Sequence, residues 1–294
     1  MDQNGPLVTI GIPTFNRAAS LKRAIDSALS QDYLNIEVIV SDNASTDETV
    51  ALCQHYNSGN MRFKYIRQLE NIGPTRNFFE VLKNASGEFF MWLGDDDWID
   101  REYVTACIKE IASDRSLALV SGLPRYYHNG QSAYIGNAFN LSHDSAWHRV
   151  ISYYAQVTDN GIFYGLLRTA QIKHLKMRNT MGCDWLLIAC VAFMGKTKVL
   201  TKISIHRELG GMSGGYQKIA DSLGLPKCQA LFPALSIAIS AGADIIKTNT
   251  VYHSQPLLLR LVIATAVLII IALRPAFSPF RSAAQHIKTR LFMA

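Results

Sequence analysis

The sequence predicts an α/β fold in which a doubly wound, mostly parallel sheet is flanked by helices. Up to about residue 100, short apolar runs that end at turn signals alternate with segments of helical periodicity, and this rhythm is typical of parallel sheets. A hydrophobic content of 49% and a charged content of 18% indicate a globular chain. The 294 residues are enough for one large domain with an appendage.

The first half of the chain supplies the elements in order. Residues 7–13 are a strand that ends at a Pro-Thr turn, and residues 20–30 carry apolar side chains at helical spacing. The same pattern then predicts strands at 36–40 and 63–67 and helices at 48–55 and 75–83. Right-handed crossovers between parallel strands place the loops that follow these strands at one edge of the sheet.

The apolar run 89–93 predicts a central strand that stops at Gly94 and delivers three carboxylates, Asp95, Asp96 and Asp97. In open α/β sheets, ligands bind at this edge. One interpretation is a solvated acidic turn. The other is a divalent cation that offsets the charge, because Mg²⁺ and Mn²⁺ prefer carboxylates together with the phosphate oxygens of a substrate. We therefore predict a metal–diphosphate site here.

The second half of the chain has a looser pattern. It predicts helices at 102–112, 147–154 and 184–193 and strands at 117–121, 161–166 and 198–205, whereas 124–142 cannot be assigned. The five cysteines show no CxxC spacing and are expected to be reduced thiols of a cytosolic protein. Residues 1–6 are polar, so no signal peptide is expected.

The C-terminal segment differs in charge from the rest of the chain. After Asp244 there are six basic and no acidic residues, so this segment holds the whole net charge of +6. A neutral body with a basic end argues against general nucleic-acid binding and indicates an acidic partner at that end.

An uncharged, mainly apolar run, 261–273, lies between Arg260 and Arg274. As a helix it would be roughly 20 Å long, short of the ~30 Å hydrocarbon core. This length favours a re-entrant or interfacial helix, and a buried core helix is the alternative. Arg281, Lys288 and Arg290 alternate with apolar residues, as in a basic amphipathic helix on anionic lipid. We expect 221–294 to be a helical, membrane-associating extension of a domain at 1–220.

Three segments, VTIGIPTFNR (8–17), VSDNASTD (40–47) and LGDDD (93–97), together resemble the signature of inverting family 2 glycosyltransferases of the GT-A fold. The likeness is strong over 7–100, weaker to about 215 and absent from the tail. It implies a nucleotide-binding half at 1–100 and an acceptor half at 101–220. The implied reaction moves one sugar from a nucleotide-diphosphate sugar, with Mg²⁺ or Mn²⁺, to a polyprenyl-linked or glycan acceptor of cell-surface polysaccharide synthesis. The implied location is the cytoplasmic face of the inner membrane, with peripheral or monotopic attachment.

The resemblance also implies a nucleotide-sugar site. In the family, the loop that contains Pro13, Thr14, Asn16 and Arg17 lies against the nucleotide, with Arg17 directed at a phosphate. A simple strand-end turn with a surface arginine is the alternative. Asp42 is expected to accept a hydrogen bond from the N3–H group of uracil, unless it only begins an Asx turn.

The acidic motif is the implied metal site. Asp96 is the expected ligand, Asp95 is expected near the ribose or the metal, and Asp97 is an ambiguous further ligand. The common form of the motif has Asp where Gly94 stands, so this sequence departs from the family there.

Asp184 resembles the position at which this family keeps its general base, and a helix N-cap is the alternative role. Many members have Glu where Cys183 stands, which leaves Asp184 as the remaining candidate. His206 and Arg207 are expected to supply a third metal ligand and a phosphate contact, although a lone histidine at a strand end is often structural. The glycine-rich residues 210–215 are expected to form a lid that donor binding orders.

Two other functions stay open. A sugar nucleotidyltransferase would be expected to have a glycine-rich basic loop after the first strand, which the loop 13–17 is not. A non-catalytic accessory subunit is disfavoured because Asp42, Asp95, Asp96 and Asp184 are all present. The chain has no Gln-x-x-Arg-Trp motif, which argues against a processive synthase.

Overall fold

A computed structural model of the chain describes residues 5–209 and 215–273. In chain order, their strands and helices are β1 (Val8–Thr14), α1 (Ala18–Leu29), β2 (Ile36–Asp42), α2 (Thr49–Gly59), β3 (Phe63–Arg67), α3 (Pro74–Lys83), β4 (Phe89–Trp92), β5 (Trp98–Ile99), α4 (Tyr103–Ser113), β6 (Leu117–His128), β7 (Gln131–Ile135), α5 (Ala146–Gln156), a 3₁₀ turn (Gly161–Tyr164), β8 (Leu166–Arg168), α6 (Thr169–Ile172), α7 (Cys183–Met194), β9 (Lys196–Glu208), α8 (Tyr216–Leu223), α9 (Lys227–Leu231), α10 (Pro233–Ala243), a π-helical turn (Asp244–Thr248), a 3₁₀ turn (Thr250–Ser254) and α11 (Leu257–Ala272).

Within these residues, nine strands form one sheet in the order β3-β2-β1-β4-β8-β6-β9-β5, with β7 paired to β6 outside this path. Strands β3, β2, β1 and β4 are parallel to one another. Beyond β4 the sheet is mixed, because β8 runs antiparallel to both β4 and β6 while β6 and β9 are parallel. The predicted α/β class, with a mostly parallel sheet in the first half of the chain, is confirmed.

The strand register brings the ends of β1, β2 and β4 together. Thr14, at the end of β1, is opposite Asp42, at the end of β2. On the other side of β1, Gly11 is opposite Trp92, so β4 ends two residues before the acidic motif. The loops that follow these three strands therefore meet at one edge of the sheet, as the sequence predicts.

Apolar clusters cover both faces of the sheet. On one face, Ile25 of α1 and Val104 of α4 belong to a cluster with the strand residues Val8 and Ile10. On the other face, residues of α3, α5, α7, α10 and α11 form one continuous cluster. Helix α7 lies deep in this second cluster, with consecutive buried residues from Leu186 onward.

The predicted strand at 161–166 is wrong. Asn160 adopts the left-handed conformation, with φ +50°, and starts the 3₁₀ turn. A Cβ atom at Gly161 would lie 2.4 Å from the Cβ of Pro124, so only glycine allows this close passage of the chain. The strand proper begins at Leu166 and continues to Arg168.

The unassigned region 124–142 contributes a β-hairpin. Strand β6 continues to His128 and pairs with β7, and the hairpin turns at Asn129 and Gly130, which both have positive φ. Against β9, the register of β6 shifts between Gly122 and Leu123, because Gly122 is opposite Leu200 while Leu123 is opposite Ser204. Residues 201–203 therefore form a bulge in β9.

Helix α11 has two different apolar faces. Ile263, Ala264, Val267 and Ile271 are buried against the body of the protein. The opposite side exposes large apolar side chains: Leu257, Leu258, Leu261, Val262, Leu268 and Ile269. Among the helices that the structure describes, none has the length and hydropathy required to cross a bilayer.

The C-terminal extension is partly described. Its portion up to residue 273 shares the apolar cluster of α5 and α7, as in the core-helix alternative, while its other side is exposed and apolar. Contact of that exposed side with a membrane stays a prediction. Arg260 donates from Nη1 to the carbonyl of Ile246 at 2.7 Å. Arg281, Lys288 and Arg290 lie outside the described residues, and the division at residue 220 stays a prediction.

Candidate active site

The loop after β1 contacts the loops after β2 and β4. Thr14 donates from Oγ1 to Oδ2 of Asp95 at 2.8 Å. Asn16 has φ +52°, a conformation that asparagine tolerates better than most residues. Its Oδ1 accepts from the backbone N–H of Thr46 at 2.7 Å, which ties the first two loops together. Pro13 is buried in the sheet opposite Ser41.

Asp42 is fully buried and both of its carboxylate oxygens have protein partners. Oδ1 accepts from the backbone N–H of Ser45 at 2.8 Å, and Oδ2 accepts from the hydroxyl of Tyr65 at 2.7 Å. Arg67 lies 3.6 Å from Oδ2 and offsets the charge. This is the turn-forming role that the sequence leaves open for Asp42, and recognition of a base by this residue stays a prediction.

Asp95 and Asp96 form the acidic pair at the end of β4. Burial, and then the charge of Asp96, raise the pKa of Asp95 to about 7. Within the described part of the chain, Asp96 has one cationic partner, Arg17, whose Nη1 lies 3.4 Å from Oδ2, while Arg23 donates to its backbone carbonyl at 2.6 Å. Adjacent carboxylates with so little compensation match the oxygen donors that Mg²⁺ and Mn²⁺ prefer.

The described residues contain no group of three or more His, Cys, Asp or Glu side chains arranged to hold a metal ion. A divalent ion held by the acidic pair would need further oxygen ligands, such as those of a substrate, to complete its coordination.

Asp97 forms a buried ion pair with Arg207. Nε of Arg207 lies 3.2 Å from Oδ2 of Asp97, and Oδ1 accepts from the backbone N–H of Glu208 at 3.2 Å. The guanidinium also donates to the hydroxyls of Tyr126 and Tyr164, at 3.0 and 3.2 Å. Both residues thus have structural partners, and their predicted ligand roles stay predictions.

His206 likewise has a partner at each ring nitrogen. Nε2 lies 2.7 Å from Oδ1 of Asp100, and Nδ1 lies 3.0 Å from the hydroxyl of Tyr127. The ring stacks on Trp98 with centroids 5.0 Å apart and planes within 4°. These contacts match the structural alternative named for this histidine, and a role as third metal ligand stays a prediction.

Asp184 lies in the first turn of α7. The helix begins at Cys183 with Gly182 as its N-cap, so Asp184 is not the capping residue itself. Burial raises the pKa of its carboxyl group, against the lowering effects of Asn160, of the backbone N–H groups of Asp184 and Trp185, and of the charge of Arg207. A raised pKa makes a carboxylate a stronger base than an ordinary aspartate, and a general base requires a shift in this direction.

Arg207 and Tyr164 connect the acidic motif to Asp184. The pKa of Tyr164 is raised by burial, while Arg207 lowers it and the charges of Asp97, Asp96 and Asp184 raise it further. The carboxylates from the end of β4 and from the start of α7 thus act on one tyrosine. A single region of the molecule brings together the candidate metal pair and the candidate base.

Sequence reasoning missed the residues that support the site. Asn160, Tyr126 and Tyr164 all contact candidate residues, yet they lie in regions whose pattern is weak. The Asp-Asn-Gly turn signal at 159–161 was the available clue to Asn160. Of the predicted lid, residues 210–214 lie outside the described part of the chain.

Comparison with known proteins gives a consistent picture. The sequence model of the family described as "Glycosyl transferase family 2" matches residues 9–172. The chain is 41% identical over 93 residues to the GalNAc(5)-diNAcBac-PP-undecaprenol beta-1,3-glucosyltransferase of Campylobacter jejuni, a match that covers 31% of this chain and 30% of the relative. The chain spans about a quarter of the length of the curated relatives it matches.

Two solved structures share the fold. Residues 1–349 of TarS from S. aureus, in complex with UDP-GlcNAc, superpose with a TM-score of 0.62 at 18% identity, covering 89% of this chain and 71% of that one. The mannosyltransferase PcManGT from Pyrobaculum calidifontis, in complex with GDP-Man and Mn²⁺, gives 0.55 at 18% identity, covering 100% and 82%. These likenesses confirm the GT-A-type fold.

Proposed function

Because the chain belongs to glycosyl transferase family 2, we propose that it is a metal-dependent, inverting transferase that moves a single sugar from a nucleotide-diphosphate sugar. The observation that carries the proposal is that the charges of Asp96, at the end of β4, and of Asp184, at the start of α7, both act on Tyr164, which accepts a hydrogen bond from Arg207. A transferase of this kind needs both features, a site for the diphosphate and a carboxylate base.

In this proposal Asp184 is the general base. It takes the proton of the acceptor hydroxyl while that oxygen bonds to the anomeric carbon, and the bond to the nucleoside diphosphate breaks on the opposite face. The raised pKa of Asp184 makes its carboxylate a stronger base than an exposed aspartate. One base and one displacement invert the configuration at the anomeric carbon.

Asp95 and Asp96 are the proposed holders of Mg²⁺ or Mn²⁺. When bound, the ion offsets the negative charge that develops on the leaving diphosphate. Support comes from the sparse compensation of the pair in this chain and from the Mn²⁺ in the PcManGT complex. Asp97 and His206 are proposed as weaker candidates for further metal ligands. The oxygens of Asp97 and the ring nitrogens of His206 already have protein partners.

The nucleotide is proposed to lie along the edge formed by the loops after β1, β2 and β4. The residues proposed to line this part of the site are Pro13, Thr14, Asn16, Arg17, Asp42, Asp95 and Arg207. Arg17 supports the placement best, since its guanidinium already reaches the acidic pair from a partly exposed position. A phosphate would give this arginine a second anionic partner.

The proposed acceptor is a polyprenyl-linked or glycan chain of cell-surface polysaccharide synthesis. The name of the Campylobacter jejuni relative refers to an undecaprenol-linked acceptor. In this chain, the exposed apolar side of α11 and the basic residues that follow it in the sequence suit an anionic bilayer surface. We propose peripheral or monotopic attachment at the cytoplasmic face of the membrane, where such an acceptor is embedded.

The deciding experiment is the thermal stabilisation of the purified chain by UDP, GDP, CDP and dTDP, each with Mn²⁺ and with EDTA. A shift that one diphosphate gives only with Mn²⁺ would identify the base of the donor and support the metal site, and Asp96→Asn should abolish it. A shift without release of diphosphate from any sugar nucleotide would favour an accessory subunit. Formation of a sugar nucleotide from a nucleoside triphosphate would favour a nucleotidyltransferase.

A further inference from the structure

The side chain of Asn160, which precedes the 3₁₀ turn, donates a hydrogen bond to Asp184. Its Nδ2 lies 2.7 Å from Oδ2 of Asp184, and its Oδ1 accepts from the hydroxyl of Tyr153 at 2.8 Å. Tyr153 and Asn160 are both buried, while Asp184 is partly exposed. The three side chains form a line of hydrogen bonds that ends on the candidate base.

The orientation of the Asn160 amide follows from its two partners. A carboxylate accepts only, so the NH₂ group must face Asp184, and the carbonyl oxygen then faces the tyrosine hydroxyl, which donates to it. The reverse orientation would place two oxygens against each other at 2.7 Å. The charge of Asp184 and the hydroxyl of Tyr153 thus select the same single arrangement.

The backbone of Asn160 is also specialised for this contact. Its φ of +50° and ψ of +33° lie in the left-handed region, which asparagine adopts more readily than most residues. This conformation begins the 3₁₀ turn that follows and directs the amide to the start of α7. Asparagine therefore satisfies a backbone requirement and a side-chain requirement at one position.

A neutral donor suits a base better than a cation does. An arginine or lysine at hydrogen-bond distance would hold the carboxylate but would also lower its basicity strongly. The other groups that face Asp184 in the described part of the chain are Arg207, Tyr164 and the adjacent Cys183, besides the backbone N–H groups of Asp184 and Trp185. Arg207 directs its own hydrogen bonds to Asp97 and two tyrosines, which leaves the amide as the described side chain that directly orients this carboxylate.

We propose that Asn160 is a positioning residue that fixes the Asp184 carboxylate in one orientation and keeps it ionised, with Tyr153 as the support of its amide. The catalytic consequence rests on the proposed function of Asp184. The physical linkage between Asn160 and Asp184 does not depend on that function. The linkage and its catalytic consequence therefore have separate tests.

The linkage is tested by urea unfolding of wild type, Asn160→Gly, Asp184→Asn and the double variant at pH 8.5 and at successively lower pH values. Glycine preserves the left-handed backbone, so the substitution removes only the amide. At high pH, the stability lost on Asn160→Gly should be larger in the wild-type background than in the Asp184→Asn background, because a hydrogen bond to a charged group is about twice as strong as a neutral one. The hydrogen bond to Tyr153 is lost equally in both backgrounds. The difference between the two backgrounds should fall toward zero as the carboxyl is protonated.

Asn129→Gly is the matched control, because Asn129 has φ +51° in an exposed hairpin turn. Its effect on stability should not depend on Asp184 or on pH. Equal losses from Asn160→Gly in both backgrounds at pH 8.5 would overturn the proposal, whether or not the chain transfers a sugar.

The catalytic part is tested by the release of nucleoside diphosphate from UDP-GlcNAc and GDP-mannose with Mn²⁺. Asn160→Gly should lower kcat by about tenfold to a hundredfold with unchanged donor KM, and Tyr153→Phe should lower it several-fold. In Asn160→Asp, two carboxylates would share a proton, so the acid limb of the pH–rate profile should move to higher pH and activity should recover there. A uniform loss at every pH in Asn160→Asp would overturn the positioning role. If wild type turns over neither donor, the proposed function loses support while the unfolding cycle still decides the linkage.

Discussion

Asp97 and Arg207, 110 positions apart in the sequence, face each other as an ion pair in the interior, with Nε 3.2 Å from Oδ2 and 2% and 15% of the side chains exposed. The pair joins the end of the acidic motif to the end of β9. The guanidinium also lies over the ring of Tyr164, 4.4 Å from its centroid. Of the three consecutive aspartates, Asp97 therefore has a structural partner, whereas Asp95 and Asp96 are the candidate metal ligands.

Removing one partner of this pair should destabilise the protein strongly. Asp97→Asn leaves Arg207 buried without its counter-charge, and we expect the free energy of unfolding in urea to fall by about 3 kcal/mol. Glu80→Gln removes a partly exposed ion pair with Lys83 and serves as the control, with an expected change below about 0.5 kcal/mol. Similar losses in the free energy of unfolding for both variants would show that the buried ion pair stabilises the protein no more than the control pair does.

Asp95 should make both stability and metal binding depend on pH. Its folded pKa of about 7 lies above the ordinary value of 3.8, so without metal the folded state holds this proton more tightly than the unfolded chain. The favourable contribution is complete below about pH 4 and is lost as pH rises toward 7. A divalent ion needs the ionised form, so stabilisation by Mn²⁺ should increase between pH 6 and pH 8.

Asp95→Asn should remove this behaviour. In EDTA at pH 8 the variant should be more stable than wild type by roughly 1–3 kcal/mol, and Mn²⁺ should add little. Thermal melts at pH 6, 7 and 8 with Mn²⁺ and with EDTA measure both effects. A variant that is less stable in EDTA at pH 8 would contradict the raised pKa.

Asp184→Asn should separate binding from catalysis. The amide keeps the size of the side chain but cannot take a proton, so we expect kcat to fall by about 10²–10⁴-fold. Stabilisation by the nucleoside diphosphate should be unchanged. Glu102→Gln, an exposed carboxyl at the start of α4, is the control and should retain full activity. Retention of activity by Asp184→Asn would assign the base to another residue.

The exposed side of α11 should bind vesicles. Leu258 and Val262, one turn apart, are 75% and 57% exposed, and replacing both by serine should weaken sedimentation with vesicles of anionic phospholipid by at least roughly tenfold. Leu69→Ser alters an equally apolar but remote exposed side chain and should leave binding unchanged. Loss of binding in the Leu69 variant as well would point to a general loss of solubility.

The sequence predicts the fold of residues 7–100 well because its determinants are local. Each strand from β1 to β4 is a short apolar run followed by its own turn, and parallel neighbours follow from the alternation with helices. The acidic motif lies at a strand end for the same reason. Its three aspartates could be located from the chain, but their different directions depend on Thr14, Arg17 and Arg207, which other segments supply.

The second half could not be predicted in the same way. Strand β8 has only three residues, too few to show a periodic pattern in the sequence. It lies between β4 and β6 and runs antiparallel to both. The link between Asn160 and Asp184 spans 24 positions and depends on a left-handed backbone that the sequence marks only as a turn. Apolar patterns in the sequence indicate which residues are buried. The pairing of β8 and the hydrogen bond between Asn160 and Asp184 depend instead on how distant buried segments pack against each other.

The bulge at 201–203 sets a rule for changes of length in β9. At Gly122, opposite the bulge, a Cβ atom would lie 2.7 Å from the carbonyl oxygen of Ile203. The close approach of the two strands at this point therefore requires glycine. Beyond the bulge, Arg207 points to Asp97 while His206 points to Asp100 on the other side. A bulge can take up a change of length while the paired segments on both sides keep their partners. Insertions and deletions at this point are therefore compatible with the site as long as Leu123 stays opposite Ser204, because that register fixes the directions of the two side chains.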